Sequence, residues 1–370
     1  MNNQPKREYG IDLLRIIAAF MVTVLHVLGQ GGILSHAESG GAAYWLAWLL
    51  EIAAYCAVNC FALISGYVTV SRGVRIKNVL SLWLQAAFYS VVISAVFFIA
   101  APETLTAKNA VAAFLPILGR QWWYLSSYFG MLVLLPLLNA GLNKITDRAL
   151  GVILATVTVA VCVAGCVLDG AFSIDPFSLK GGYSALWLAI MYLFGAYIKK
   201  RALSERSTAA KSVLGYLAAV AVTFCSKLVI HLISLKHSGA ARFENVLVSY
   251  ISLTVVTSAV FLLLFCLRVR MGRLMIKTIK LLSPASLGVY LIHTHPLVFE
   301  RVIKDAFLPF LNHRAVITVL LTLGAAAAIF LLCSAIDLLR IRLFRLIGAD
   351  RFCKWADNKI TAFFNRESEP

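Results

Sequence analysis

The chain has 370 residues, of which 61% are hydrophobic and only 14% charged, and its mean hydropathy is +0.84. Soluble domains hold about half apolar and a quarter charged residues, so an ordinary globular enzyme is excluded, and so is a disordered chain. The net charge of +17 would suggest nucleic acid in a soluble protein. In a chain this apolar it reflects cationic loops beside anionic lipid, and no nucleic-acid partner is expected.

The apolar stretches run unbroken, as in Val91–Ala101 and Ile317–Cys333, without the alternation that a membrane β-barrel needs. Helical spans of about 20 residues are therefore expected near 11–28, 43–70, 79–101, 122–142, 149–168, 183–198, 212–235, 246–267, 281–303 and 315–338. The fold class is an all-α polytopic membrane protein, a bundle of about ten transmembrane helices. Residues 110–119 are apolar but too short to span, and read as a re-entrant or interfacial piece. The first apolar run exceeds a signal-peptide core and lacks a small-residue cleavage site, so it reads as a retained helix.

An inside N-terminus gathers most cations on one side. Arg72, Arg75 and Lys77, then Lys199, Lys200 and Arg201, then Arg268, Arg270 and Arg273 all fall there. The opposite loops hold scattered cations such as Lys108, Arg120 and Lys180. Both termini are thus expected in the cytoplasm. A transmembrane domain over residues 1–338 is expected to precede a basic tail, 339–370. In that tail Arg340, Arg342 and Arg345 alternate with Leu343 and Phe344, as in a helix lying on lipid. The eight cysteines show no metal-ligand spacing. Neither disulfides nor a metal is expected.

Ionisable groups inside spans are costly and rarely idle. In the first span Asp12, Arg15, Thr23 and His26 fall within about 80° of arc, a polar stripe that must face the bundle interior or a wet cavity. Arg15 and His26 lie about 16 Å apart along the axis, so they cannot grip one atom. The stripe suits a long ligand; an interfacial ion pair with His26 at headgroup level explains it equally well. Glu51, Tyr55 and Asn59 share a face of the second span, either as helix–helix glue or as a binding surface. Close packing is the better reading of Ser65-Gly66. Tyr290 and His293 lie a turn apart in the ninth span, with His295-Pro296 beyond. Lys227 and His231 share a face of the seventh span, either snorkelling toward the outer interface, the slightly better reading, or lining an anionic cavity. Arg72 and Arg75 sit in a short inner loop and suit phosphates, although inner loops are basic in any case. Trp122-Trp123-Tyr124 reads as an aromatic belt or as a surface that stacks on a sugar.

Together these residues resemble the acyltransferase-3 family of integral-membrane acyltransferases. Ile11-Asp12-Leu13-Leu14-Arg15 followed by His26 resembles the family's first-helix signature, with Arg15 and His26 at the matching positions. Asn59-Cys60-Phe61-Ala62-Leu63-Ile64-Ser65-Gly66-Tyr67 is similar to its second-helix pattern, with Cys60 where Phe is common. Arg72 and Arg75 match its inner-loop Arg-x-x-Arg, Trp123-Tyr124-Leu125 its aromatic motif, and Ser286–His293 its late block.

The resemblance implies a bacterial cell-membrane enzyme that moves an acyl group, usually acetyl from acetyl-CoA, onto a hydroxyl of a cell-envelope carbohydrate or glycolipid. No extra-membrane esterase-like domain lies within the 370 residues, so the membrane domain itself is expected to acylate the acceptor. His26 is the expected base, with Arg15 and Asp12 beside it in the catalytic set. Arg15, Arg72 and Arg75 would hold acetyl-CoA from the cytoplasmic side. Glu51, Asn59, Trp123, Tyr124, Tyr290 and His293 would meet the substrate, His293 with a packing or orienting part. Direct transfer and an acyl-His26 intermediate both remain open. So does a transporter or flippase that uses the same polar seam for an amino acid or a lipid-linked sugar.

Overall fold

A backbone inside lipid finds no water, so each apolar run must satisfy its own N–H and C=O groups as a helix. The computed structural model describes residues 7–70, 75–119 and 121–366, and among these residues there is no strand. Ten helical passages form the bundle: α1 (Tyr9–Leu28), α2 (Ala42–Thr69), α3 (Ile76–Ala100), α4 (Trp123–Lys144), α5 (Asp147–Phe172), α6 (Ala185–Lys200), α7 (Ala209–Ser234), α8 (Leu253–Arg268), α9 (Arg273–His293) and α10 (Ala315–Leu346). Eight of them are long and apolar enough to cross a membrane. The helices α6 and α8 are shorter, at 16 residues each. Side-chain caps start several passages where the sequence supplies them: Thr146, Ser184 and Thr208 accept from the backbone N–H three residues on.

The eighth, ninth and tenth passages differ most from expectation. The ninth passage was expected over 281–303, but α9 starts at Arg273 and stops at His293. Pro296 cannot continue a helix and biases the preceding residue toward extended backbone. His295 obeys, with ψ 131°, and residues 296–303 form a separate short turn. The eighth passage was expected from 246, but 246–252 is a run of turns held by bonds such as Val248 N–H to Asn245 C=O (2.9 Å), and α8 begins at Leu253. Apolar composition marks these residues as buried, not as helical. The 110–119 segment holds the end of a short helix, Ala107–Phe114, whose Ala113 carbonyl accepts from Ser90 of α3.

The loop alternation expected from charge is visible in the contacts. At one end Lys199 bonds Glu8 (2.8 Å) and the Lys77 N–H reaches Asp357 (3.2 Å). At the other end, Asp305 and Phe307 bond the carbonyls of Gln30 and Gly31. The core forms around α1, which packs on α2, α8, α9 and α10. Helices α2 and α6 cross closely: a Cβ at Gly66 would fall 1.9 Å from the Tyr192 carbonyl oxygen, and one at Gly195 2.1 Å from that of Leu63. Packing is therefore what Gly66 serves.

The helix α10 runs past residue 338 to Leu346, and Gly348 (φ 73°) turns the chain into α11 (Ala349–Arg366), which lies against α3. Arg340 does not lie on lipid. It is 9% exposed and makes a two-bond fork to Asp337 (3.0 and 2.8 Å). Gln85 and Tyr89 of α3 also donate to Asp337, so this carboxylate clamps α3 to α10. It fills the space beside Gly288, where a Cβ would meet it at 2.2 Å.

Candidate active site

The stripe on α1 faces a cavity of 1090 Å³ that runs from Arg7, Glu8 and Lys199 at one end to Gln30, Glu51 and Tyr183 at the other. Asp12, Arg15 and His26 line it in that order along α1. The length of the cavity follows from the helix: eleven residues separate Arg15 from His26, about 16 Å of rise.

Asp12 is fully committed. Its Oδ1 accepts from Arg15 Nη1 (2.9 Å) and from the Ser283 hydroxyl (2.9 Å), and its Oδ2 from Arg7 Nε (2.5 Å). Only 5% of the residue is exposed. Its geometry is that of an anchor for two guanidinium groups, Arg7 and Arg15, at the end of the cavity opposite His26. Arg15 spends one N–H on Asp12; among the described residues its other donors take no hydrogen bond, and its side chain is 37% exposed to the cavity. Such a fork is matched to phosphate or carboxylate oxygens.

His26 lies at the other end of the cavity. Its Nδ1 is 2.9 Å from His293 Nε2, and the Phe299 ring stands edge-on at 5.1 Å. His293 is 2% exposed, and its Nδ1 lies 2.5 Å from the Val289 carbonyl oxygen. It does not line the cavity and reaches it only through His26. His295 points elsewhere, toward Ser94 and Trp122.

The other expected site residues divide. Glu51, Trp123, Tyr124 and Tyr290 line the cavity. Asn59 does not: it is fully buried, its Nδ2 donating to the Tyr250 carbonyl (2.8 Å) and its Oδ1 accepting from Trp187 Nε1 (2.9 Å). With both ends of its amide used, it holds up Tyr250, which does face the cavity. Near Glu51 the wall is aromatic. Tyr55 stacks on Tyr250 at 4.8 Å, and Trp123 lies against Tyr183 at 4.3 Å. Among the described residues, Glu51 Oε2 and the Tyr124 hydroxyl have no hydrogen-bond partner although buried, so this end offers unspent polar groups to whatever fills it. Arg75 is exposed and stands three residues before Asn78, the first residue of α3 to line the cavity. Arg72 lies outside the described residues.

Sequence reasoning did not place Arg7, Lys199, Tyr128 or Ser283 in the site, and it read Ser65-Gly66 as close packing, yet Ser65 and these four all line the cavity. Ser65 meets the Tyr128 hydroxyl at 3.1 Å. Tyr128 follows Tyr124 by one helical turn, a spacing that could have marked it. Arg7 and Lys199 carry no signal beyond the basic character of inner loops. Among the described residues, no three His, Cys, Asp or Glu side chains are grouped so as to hold a metal ion.

Comparison with curated proteins and with solved structures finds no match for this chain. The family of the acyltransferase domain, acyltransferase 3, matches residues 8–338, nearly the whole chain. With its apolar helices and its cavity-lining arginine–histidine seam, the protein belongs to the acyltransferase-3 family and is a multi-pass membrane acyltransferase.

Proposed function

We propose that the protein transfers acetyl from acetyl-CoA, entering at the cytoplasmic face, to a hydroxyl of a cell-envelope carbohydrate or glycolipid in a bacterial cell membrane. The observation that carries this reading is the single cavity joining the guanidinium end at Arg7 and Arg15 to the imidazole of His26. A CoA thioester is long and has its anionic groups at the end opposite the reacting carbon. Arg15 and Lys199, with Arg75 beyond, suit that anionic end, and Arg72 is expected to join them. The pantetheine arm would then extend along α1 toward His26. The aromatic faces of Tyr55, Trp123 and Tyr250 suit the apolar face of a sugar ring, and Glu51 suits its hydroxyls.

The chemistry asked of the protein is modest, because a thioester already has a good leaving group. His26 takes the proton of the acceptor hydroxyl as its oxygen bonds the acyl carbon. The carbon–sulfur bond then breaks, and the proton passes from His26 to the departing thiolate. The Tyr124 hydroxyl, without a partner among the described residues, is available to the oxyanion that forms between these steps.

The test is free CoA release from acetyl-CoA by the reconstituted protein, with and without a lipid extract of envelope glycolipids. Release that depends on extract and on His26 supports the reading. Passage of solute across the vesicle without CoA release would support a transporter instead.

A further inference from the structure

The pair formed by His26 and His293 fixes which nitrogen of His26 can act. His293 Nδ1 faces the Val289 carbonyl oxygen at 2.5 Å. A carbonyl can only accept, so His293 Nδ1 carries the proton. The neutral His293 ring then has a lone pair at Nε2. That nitrogen faces His26 Nδ1 at 2.9 Å, which must donate to it. His26 is left with an unprotonated Nε2, and among the described residues that nitrogen takes no hydrogen bond.

We infer that His293 is the positioning residue of this active site: it holds His26 in the Nδ1–H tautomer and leaves Nε2 as the base. This rests on the proposal that His26 accepts the acceptor's proton. A free imidazole exchanges its proton between both nitrogens, and the wrong tautomer offers N–H where a lone pair is required. The chain of bonds prevents that without any carboxylate, because the fixed end is a main-chain carbonyl of α9. The same chain serves the charged state. When Nε2 takes the hydroxyl proton, the imidazolium keeps its Nδ1–H bond to His293, and the proton is then released to the thiolate sulfur.

Burial supports a dedicated role. His293 is 2% exposed and sits between α1 and α9, with no cavity contact of its own. Its neighbour His295 shows what a merely structural histidine does here. His295 Nδ1 accepts from the Leu297 N–H (3.3 Å) and its Nε2 lies 3.4 Å from the Ser94 hydroxyl, so it caps the turn after Pro296.

The experiment uses the full chain in lipid nanodiscs with ¹⁵N-labelled histidine, the His26 signals being assigned by their loss in His26→Ala. Wild type should show His26 protonated at Nδ1. In His293→Phe, which fills the volume but cannot accept, that preference should disappear. The turnover of acetyl-CoA, read as free CoA with envelope lipid extract, should fall on the order of 10²-fold or more, while the acetyl-CoA KM stays within about twofold. His293→Gln can accept through Oε1 and should restore both the tautomer and most of the rate. A wild-type His26 protonated at Nε2 would overturn the inference, as would an unchanged kcat in a folded His293→Phe. If the tautomer is as expected but wild type releases no CoA, the transfer reading has failed and the assignment of His293 as tautomer-setting stands.

Discussion

Two helices of this bundle carry basic side chains on one inward face, and they do opposite things with them. In α1, Arg15 and His26 are only partly satisfied by protein and open onto the cavity. In α7, Lys227 and His231 also share one face, four residues apart, but both are consumed. Lys227 is 1% exposed, bonds Asn245 (2.8 Å), lies 3.7 Å from Glu244 and sits 3.8 Å over the Trp48 ring. His231 bonds Glu244 at 3.0 Å, and Ser234 donates to the same oxygen. Lys227 therefore does not snorkel outward: the 244–245 loop and Trp48 reach in to meet it. A buried charge that the protein has fully paired is a fastener, whereas one left with spare hydrogen-bonding capacity beside a cavity is a site.

Substitutions should separate the two regions. His26→Ala should cost the largest loss of rate, on the order of 10²–10⁴-fold, measured as CoA release per folded protein, with expression and acetyl-CoA binding near wild type. Lys227→Met should act in the reverse sense. Removing one partner of a buried pair costs about 3–5 kcal/mol. Thermal or denaturant unfolding in detergent should register that loss, while the protein that remains folded keeps its turnover. A Lys227→Met protein that is stable but inactive would move Lys227 from the fastener to the site.

Arg15→Lys comes next. It keeps the charge but replaces the fork that spans Asp12 and the cavity by a point charge. Transfer should fall well beyond what a conservative change suggests, with most of the effect in acetyl-CoA KM. The smallest effect is expected from Arg72→Ala and Arg75→Ala. Each should weaken apparent acetyl-CoA affinity by about 1–3 kcal/mol, and less at high salt because Arg75 is exposed. An unchanged KM in the double variant would leave these arginines with topology alone.

The α1 stripe was readable because one helix carries it: periodicity alone puts Asp12, Arg15 and His26 on one face. The aromatic wall was readable in part, from Trp123-Tyr124. What periodicity cannot carry is a partner from elsewhere in the chain. The resemblance of the late block placed His293 with the substrate contacts or in a packing or orienting part, and only the packing of α9 on α1 shows that it faces His26. Asn59 shares its face with Tyr55, but Trp187 and the Tyr250 backbone claim its amide first. Asp337 and Arg340 are three residues apart, and a basic surface helix explained Arg340 until the α3 contacts showed the pair to be buried. Even the length of α9 depended on one residue, Pro296, whose effect outweighs the apolar run around it.

The central claim is that one long donor enters at the Arg15 end and is used at the His26 end. Sidedness tests it most directly: the protein is embedded in sealed vesicles of known orientation, and labelled acetyl-CoA is supplied to one face at a time. Transfer to envelope glycolipid is expected only when acetyl-CoA is given to the face carrying Glu8, Lys77 and Lys199, and none is expected in His26→Ala. Transfer that requires acetyl-CoA on the opposite face, or proceeds equally from both, would contradict it.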